Sequence, residues 1–281
     1  MRIPVIVVIA VLVFLLTRYV ISRKLLYFPV RGNAEQLAQI TARIPEAEAI
    51  RIPLGKKTTL HGWLIKKDLN RLPTVFYFGG NAEEVSVNLP DFSARVSANA
   101  VLVNYRGYGQ SSGSPTEDRL KSDALLIYDH TANRLGLDAA RCVAWGRSLG
   151  SSMAAYLALE RGLSKLILTC PFDSIQAVAA AYYPSWLVNL VLEDRHRTID
   201  FAHQITCPTL VLVAPNDEVI PYQHTHRLYE RLNGPKQLVP VHGAGHNTIS
   251  GFDVYFNAVN TFLEKDQERA GGGRVMEISE K

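Results

Sequence analysis

The chain has 281 residues with a formal net charge of +4, 47% hydrophobic and 20% charged residues. That hydrophobic share is ample for a sizeable core and excludes global disorder. No long basic run is interleaved with aromatics, so the chain carries no nucleic-acid footprint and no nucleic acid is expected as partner.

From the N-terminus, Ile3 to Leu16 is apolar throughout, and the stretch resumes at Tyr19, Val20 and Ile21 after Thr17 and Arg18. A helix over residues 3–21 would be about 28 Å long, close to the ~30 Å of a bilayer's hydrocarbon core. Residues 1–24 therefore read as a single-pass, N-terminal transmembrane anchor, with Arg18 near the interface and Ser22-Arg23-Lys24 as a basic collar. The rival is a cleaved signal peptide, but the segment TRYVISRKLL offers no small-x-small cleavage site. Positive charge following the span places the rest of the chain on the cytoplasmic side, whereas signal anchors also face outward; the side stays open.

Residues 25–265 form the main domain. Glu48–Leu54 and Thr59–Lys66 alternate in polarity around Gly55-Lys56-Lys57-Thr58, which predicts a hairpin. Short apolar runs then alternate with helical stretches. The runs are Thr74–Phe78, Ala100–Asn104, Arg141–Trp145, Lys165–Cys170, Thr209–Val213 and Gln237–Val241. Helices are predicted over about 83–96, 116–135, 149–161, 222–232 and 251–263. Continuous Val/Ile/Leu runs indicate strands buried on both faces, so the expectation is a mixed, mostly parallel sheet of about eight strands flanked by helices. Ligands of such sheets bind beyond the carboxyl ends of the strands. Residues 174–205 read as a short cap, and 266–281, with Gly271-Gly272-Gly273 and many charges, as a flexible tail. Cys142 and Cys207 open strands separated by a third, about 9–10 Å apart, too far for a disulfide, which needs about 7 Å or less. All three cysteines, Cys170 included, read as buried thiols.

The pattern G-x-S-x-G occurs at Gly109–Gly113 and again at Gly146–Gly150. A nucleophile elbow needs a strand running straight into a helix, with glycines relieving the crowded turn. Only Ser148 has both; Ser111 follows its strand at a distance, precedes Pro115, and reads as a loop residue. The helix after Ser148 brings its N-terminal amides to the serine, which makes the Leu149 N–H the expected oxyanion donor. A second donor is expected from the loop Gly79-Gly80-Asn81-Ala82, at Asn81 or its neighbour Gly80. His246, beyond the last strand in His242-Gly-Ala-Gly-His246, is the expected base, with His242 as rival. Asp217, beyond the strand at 209–213, is the expected acid, with Asp173 as rival and Glu218 expected to point elsewhere. His224 and His226 read as surface or satisfied polar residues. No His/Cys/Asp group has metal-ligand spacing, and no phosphate-binding loop follows the first parallel strand, so no cofactor is expected.

With Gly79-Gly80-Asn81-Ala82, Asn104-Tyr-Arg-Gly-Tyr-Gly-Gln-Ser111, the Ser148 elbow, Asn216-Asp217-Glu-Val-Ile-Pro221 and Gly245-His246-Asn247, the chain resembles the α/β-hydrolase superfamily. Within it, the chain is similar to membrane-anchored serine hydrolases related to lysophospholipases and protein depalmitoylases. The resemblance covers roughly 27–263. It implies an α/β-hydrolase fold and a Ser148–His246–Asp217 triad, and an acyl substrate such as a lipid or an acylated protein. Two positions depart from the family's pattern: Gly79, where relatives usually carry histidine, and Asn104, where they usually carry aspartate. In the cap, Tyr182, Tyr183, Trp186 and Leu187 suit contact with an acyl chain, or simply cover the sheet edge. The expected activity is hydrolysis of carboxylic esters or thioesters through an acyl-enzyme. Peptidase or amidase chemistry, acyl transfer, or a catalytically silent membrane-tethered binding module stay open as alternatives.

Overall fold

Why the chain folds around one sheet follows from its apolar runs. The computed structural model describes residues 5–55 and 57–264, so the expected tail at 266–281 lies outside the described residues. Helix α1 (Val5–Leu26) is followed by α2 (Ala34–Ala42) and the antiparallel hairpin β1 (Ala47–Leu54) and β2 (Thr58–Ile65). Then come β3 (Thr74–Phe78), α3 (Leu89–Arg95), β4 (Asn99–Val103), α4 (Glu117–Leu135), β5 (Cys142–Arg147) and α5 (Gly150–Arg161). The chain continues through β6 (Lys165–Thr169), α6 (Ile175–Tyr182), α7 (Ser185–Val191), β7 (Thr209–Val213), α8 (Tyr222–Arg231), β8 (Lys236–Pro240) and α9 (Asp253–Glu264). The eight strands form one sheet in the order β1-β2-β4-β3-β5-β6-β7-β8. β1, β2 and β4 pair antiparallel, and every pair from β4 onward is parallel.

The period-two alternation of the parallel strands divides the core between the two faces of the sheet. Phe76, Phe78, Ala144, Leu166 and Leu168 pack with Ala124 and Ile127 of α4 and Met153 and Leu157 of α5. Val75, Tyr77, Val143, Trp145 and Ile167 pack on the other face, with Phe92 of α3 and Val259 and Phe262 of α9. Both faces are covered, which is why the runs are apolar without interruption.

Two expectations are corrected. The helix expected over 83–96 splits into a 3-10 turn at Val85–Asn88 and the short α3, because Pro90 has no N–H to join the turns. Its would-be first turn is also diverted, since Asn104 Oδ1 takes the Val85 N–H at 3.1 Å. Cys207 is only partly buried, unlike Cys142 and Cys170. His224, on α8, is a satisfied polar residue, buried with its Nδ1 2.8 Å from Asp173 Oδ1.

The end of α1 is built into the domain. Its 22 residues span about 33 Å, and residues Val13 to Leu16 are exposed. Among the described residues no helix is long and apolar enough to cross a membrane; the expected span at 3–21 falls in part outside them, as the side chains before Val13 do. Beyond it, Ser22 Oγ accepts the Glu193 N–H at 2.9 Å. The buried Tyr27 hydroxyl donates to Asp194 at 2.8 Å and lies 2.9 Å from His196 Nε2. His196 is fully buried, and burial lowers its pKa to about 4, only partly offset by the charges of Glu117 and Asp194. The unfolded chain therefore binds a proton here that the folded chain refuses, so stability present above the unfolded histidine pKa, near 6.5, is lost as pH falls toward 4. Up to roughly 3 kcal/mol is at stake. His196→Gln should flatten that acid limb, measured as the difference in unfolding midpoint between neutral buffer and about pH 4.5.

Candidate active site

Four loops meet at the carboxyl ends of the parallel strands: those after β3, β5, β7 and β8. The loop after β5 is the tightest. Ser148 adopts φ +49, a left-handed conformation unfavourable for a side chain with a Cβ. The sequence makes this turn possible by leaving no side chain beside it. A Cβ on Gly146 would lie 2.3 Å from the Gly150 carbonyl oxygen, and one on Gly150 would lie 2.0 Å from the Phe78 carbonyl oxygen. The Ser148 N–H is pinned to the Thr169 carbonyl at 2.9 Å, fixing the elbow to β6.

Ser148 Oγ lies 3.0 Å from His246 Nε2, and His246 Nδ1 lies 2.7 Å from Asp217 Oδ2. The structure thus brings together the three residues expected as nucleophile, base and acid, although 98 residues of chain separate the first two. Ser148 and His246 are both largely buried. The other Asp217 oxygen accepts the Val219 and Ile220 N–H groups at 2.8 and 2.7 Å. Burial pushes the Asp217 pKa up, but the His246 ring and these two N–H groups outweigh it and hold the carboxyl below its ordinary value. Asp217 is therefore an anion facing the imidazole, placed to orient the ring.

The rivals are placed elsewhere. His242 is exposed. Asp173 is spent on His224 Nδ1 at 2.8 Å and Arg227 Nε at 2.7 Å. The Ser111 hydroxyl donates to the Asn104 carbonyl and accepts the His61 N–H, both at 2.9 Å, so it is a loop staple.

The loop after β3 corrects one expectation. The Gly80 N–H donates to Glu83 Oε2 at 2.8 Å and is not a free donor. Among the described residues, the Asn81 and Leu149 N–H groups have no acceptor. The Asn81 side chain is engaged at both ends: its Nδ2 donates to the Leu26 carbonyl at 2.6 Å, and its Oδ1 accepts from the Phe28 N–H at 3.0 Å and from the Tyr108 hydroxyl at 2.8 Å.

Glu83 and Arg147 are functional candidates that sequence reasoning missed. Arg147 donates to Glu83 Oε2 at 2.8 Å, to the His246 carbonyl at 3.2 Å and to Asn247 Oδ1 at 3.0 Å. One guanidinium thus ties the loop after β3 to the loop carrying His246. Glu218, expected to point elsewhere, accepts the His246 N–H at 3.0 Å and holds the same loop from the other side. Arg147→Ala should leave the fold intact and lower kcat about 10²-fold, with a smaller change in KM, because a base displaced by about 1 Å costs that much. An equal rise in KM would show that Arg147 contacts substrate instead.

Of the cap residues expected at substrate, Tyr183 and Leu187 line an apolar groove beside α1. The Tyr182 hydroxyl instead meets the carbonyls of Glu218 and Val219 at 3.4 and 3.3 Å. Trp186 is 69% exposed. Contrary to the spacing argument, Cys170, Asp217 and His246 do place potential ligand atoms within 4.8 Å of one another. Asp217 and His246 are engaged with each other, and burial followed by the Asp217 charge pushes the Cys170 thiol up to about 12, disfavouring the thiolate a metal would need.

Comparison with known proteins adds to this geometry. Residues 191–274 match the family model described as TAP-like protein. The chain is 31% identical to the α/β hydrolase domain-containing protein WAV2 of Arabidopsis thaliana, over 87% of this chain and 88% of that protein. It is 29% identical to the human α/β hydrolase domain-containing protein 17B, over 69% and 67% of the two chains. Among solved structures, the Pyrococcus furiosus esterase Pf2001 superposes with a TM-score of 0.62 at 18% identity, covering 85% of this chain and 98% of that one. At that identity the likeness is one of fold.

Proposed function

This chain belongs to the α/β-hydrolase superfamily, and from that premise we propose that it is a serine hydrolase cleaving carboxylic ester or thioester bonds of lipid-linked acyl substrates. The observation that carries the reading is the continuous hydrogen-bonded line from Ser148 Oγ through the His246 ring to Asp217, set on an elbow where Ser148 holds φ +49. Ser148 attacks the acyl carbonyl while His246 Nε2 takes its proton, and Asp217 stabilises the imidazolium that forms. The tetrahedral oxyanion is met by the Leu149 N–H at the N-terminal end of α5 and the Asn81 N–H of the loop after β3. One donor of this kind contributes about 3–4 kcal/mol to the transition state. His246 then protonates the leaving alcohol or thiol, and a water activated by the same imidazole releases the acid from the acyl-enzyme.

In this reading residues 3–21 anchor the protein in a bilayer as a single pass. Support comes from the apolar sequence and from the exposed apolar side chains Val13 to Leu16, Val20 and Ile21 along α1. The domain that follows would then work at the membrane surface, where lipid-linked substrates reside.

A panel of esters, thioesters and aminoacyl amides, with labelling by a fluorophosphonate probe, tests the assignment. Wild-type protein should label and turn over esters or thioesters faster than amides, and Ser148→Ala should do neither. Labelling that persists in Ser148→Ala, or turnover of amides alone, would contradict it.

A further inference from the structure

Between the last turn of α1 and the cap helices lies an apolar groove of about 420 Å³, within the size range of small-molecule sites. Leu25 and Leu26 form one wall; Val178 and Ala179 of α6 and Leu187 and Val188 of α7 form the other. Ser22 also lines it, and its hydroxyl accepts the Glu193 N–H. The groove is no accident of loose packing, because its α1 wall is stapled on both sides. Tyr27 is bonded to Asp194 at the end of the cap. Asn81 holds the Leu26 carbonyl and the Phe28 N–H.

That second staple ties the Leu26 wall of the groove to the loop after β3, which passes beside Ser148. Asn81 follows Gly80, and a Cβ on Gly80 would stand 3.7 Å from Ser148 Cβ. The chain running from groove to nucleophile is thus Leu26, Asn81, Gly80, Ser148. Two of its lining residues, Leu25 and Tyr183, are exposed, so the groove is open to the surroundings.

The geometry points to this groove as the acyl-chain site, with the end of the N-terminal helix as one of its walls. The occupant is a long saturated acyl chain whose carbonyl reaches Ser148. Mostly aliphatic walls, continuous with a helix rich in exposed apolar residues, suit a hydrocarbon sliding in from a bilayer. Each methylene buried there adds roughly fourfold to binding. The inference rests on the serine hydrolase reading, and it makes the anchor helix part of the site as well as a tether.

Full-length protein in detergent micelles, reacted with ethyl and hexadecyl fluorophosphonates, separates the two ideas. Wild type should react more than about tenfold faster with the hexadecyl probe. Leu25→Trp, on the exposed α1 side, and Ala179→Trp, on the cap side, fill the groove. Each should slow the hexadecyl probe about tenfold while leaving the ethyl rate within about twofold and the unfolding midpoint unchanged. Reaction independent of chain length in wild type, or equal loss of both probes in Leu25→Trp, would overturn the groove assignment and leave the hydrolase reading standing. A concentration-dependent dimer that Leu25→Trp dissolves, without any chain-length effect, would give the groove to a second copy and overturn it too. No reaction of wild type with either probe would overturn the parent reading and the groove with it.

Discussion

Alanine at Gly150 is expected to destabilise the protein by about 4 kcal/mol or more, or to prevent its accumulation as folded protein. The added Cβ would meet the Phe78 carbonyl oxygen at 2.0 Å, the Phe78 carbonyl carbon at 2.6 Å and the Gly79 carbonyl oxygen at 2.7 Å. All three are backbone atoms of β3 and the loop that follows it, so no side chain can rotate away. Relief requires α5 to move off β3, and both elements are central to the core. Whatever folded protein survives should be inactive, because the displaced backbone leads directly into Gly80 and Asn81. The control is Gly251→Ala, where nothing lies within 4 Å and φ is not positive; its midpoint should stay within about 0.5 kcal/mol of wild type. Chemical denaturation of both variants reads the difference. Similar small effects at both positions would mean that the close contact of α5 with β3 is not a feature of the folded protein.

The second large effect concerns the hydrogen-bonded line itself. Ser148→Ala and His246→Ala should each lower kcat by about six orders of magnitude, and the double variant should lose scarcely more than either alone. Oγ without its base is an ordinary hydroxyl, and the imidazole without Oγ has no proton to move. Asp217→Asn should cost less, about 10⁴-fold, since it leaves the geometry in place while removing the anion that sets the tautomer. Additive losses in the double variant would show that the two residues act separately, and the 3.0 Å contact between them would have no catalytic meaning. Single-turnover rates with an activated ester make the comparison without interference from deacylation.

Much of this architecture is written locally. The parallel strands are legible because a strand covered on both faces leaves little room for polar residues, and 75–78, 143–145 and 166–168 are aliphatic or aromatic throughout. The elbow is legible because strand, glycine, serine, glycine and helix follow one another within a few residues. His246 and Asp217 are legible as polar residues just beyond strand ends, where a parallel sheet gathers its loops. What could not be read depends on partners far along the chain. Arg147 fills the variable position of G-x-S-x-G, and nothing local tells that its guanidinium reaches Glu83, 64 residues away, and Asn247, 100 residues away. Gly80 shows the limit of arguing from residue type. A glycine signals backbone freedom, but whether its N–H is available depends on the side chain that finds it, here Glu83 three residues on. Likewise the staple between Asn81 and Leu26 spans 55 residues, so the contribution of α1 to the site has no signature in either segment alone.

Mass mapping of the protein quenched during turnover of an activated ester tests the central claim most directly. The predicted result is one acyl group on the peptide carrying Ser148, absent from Ser148→Ala and accumulating when deacylation is slow. An acyl group carried instead by Ser111 or Cys170, or turnover with no covalent intermediate on any serine, would contradict it.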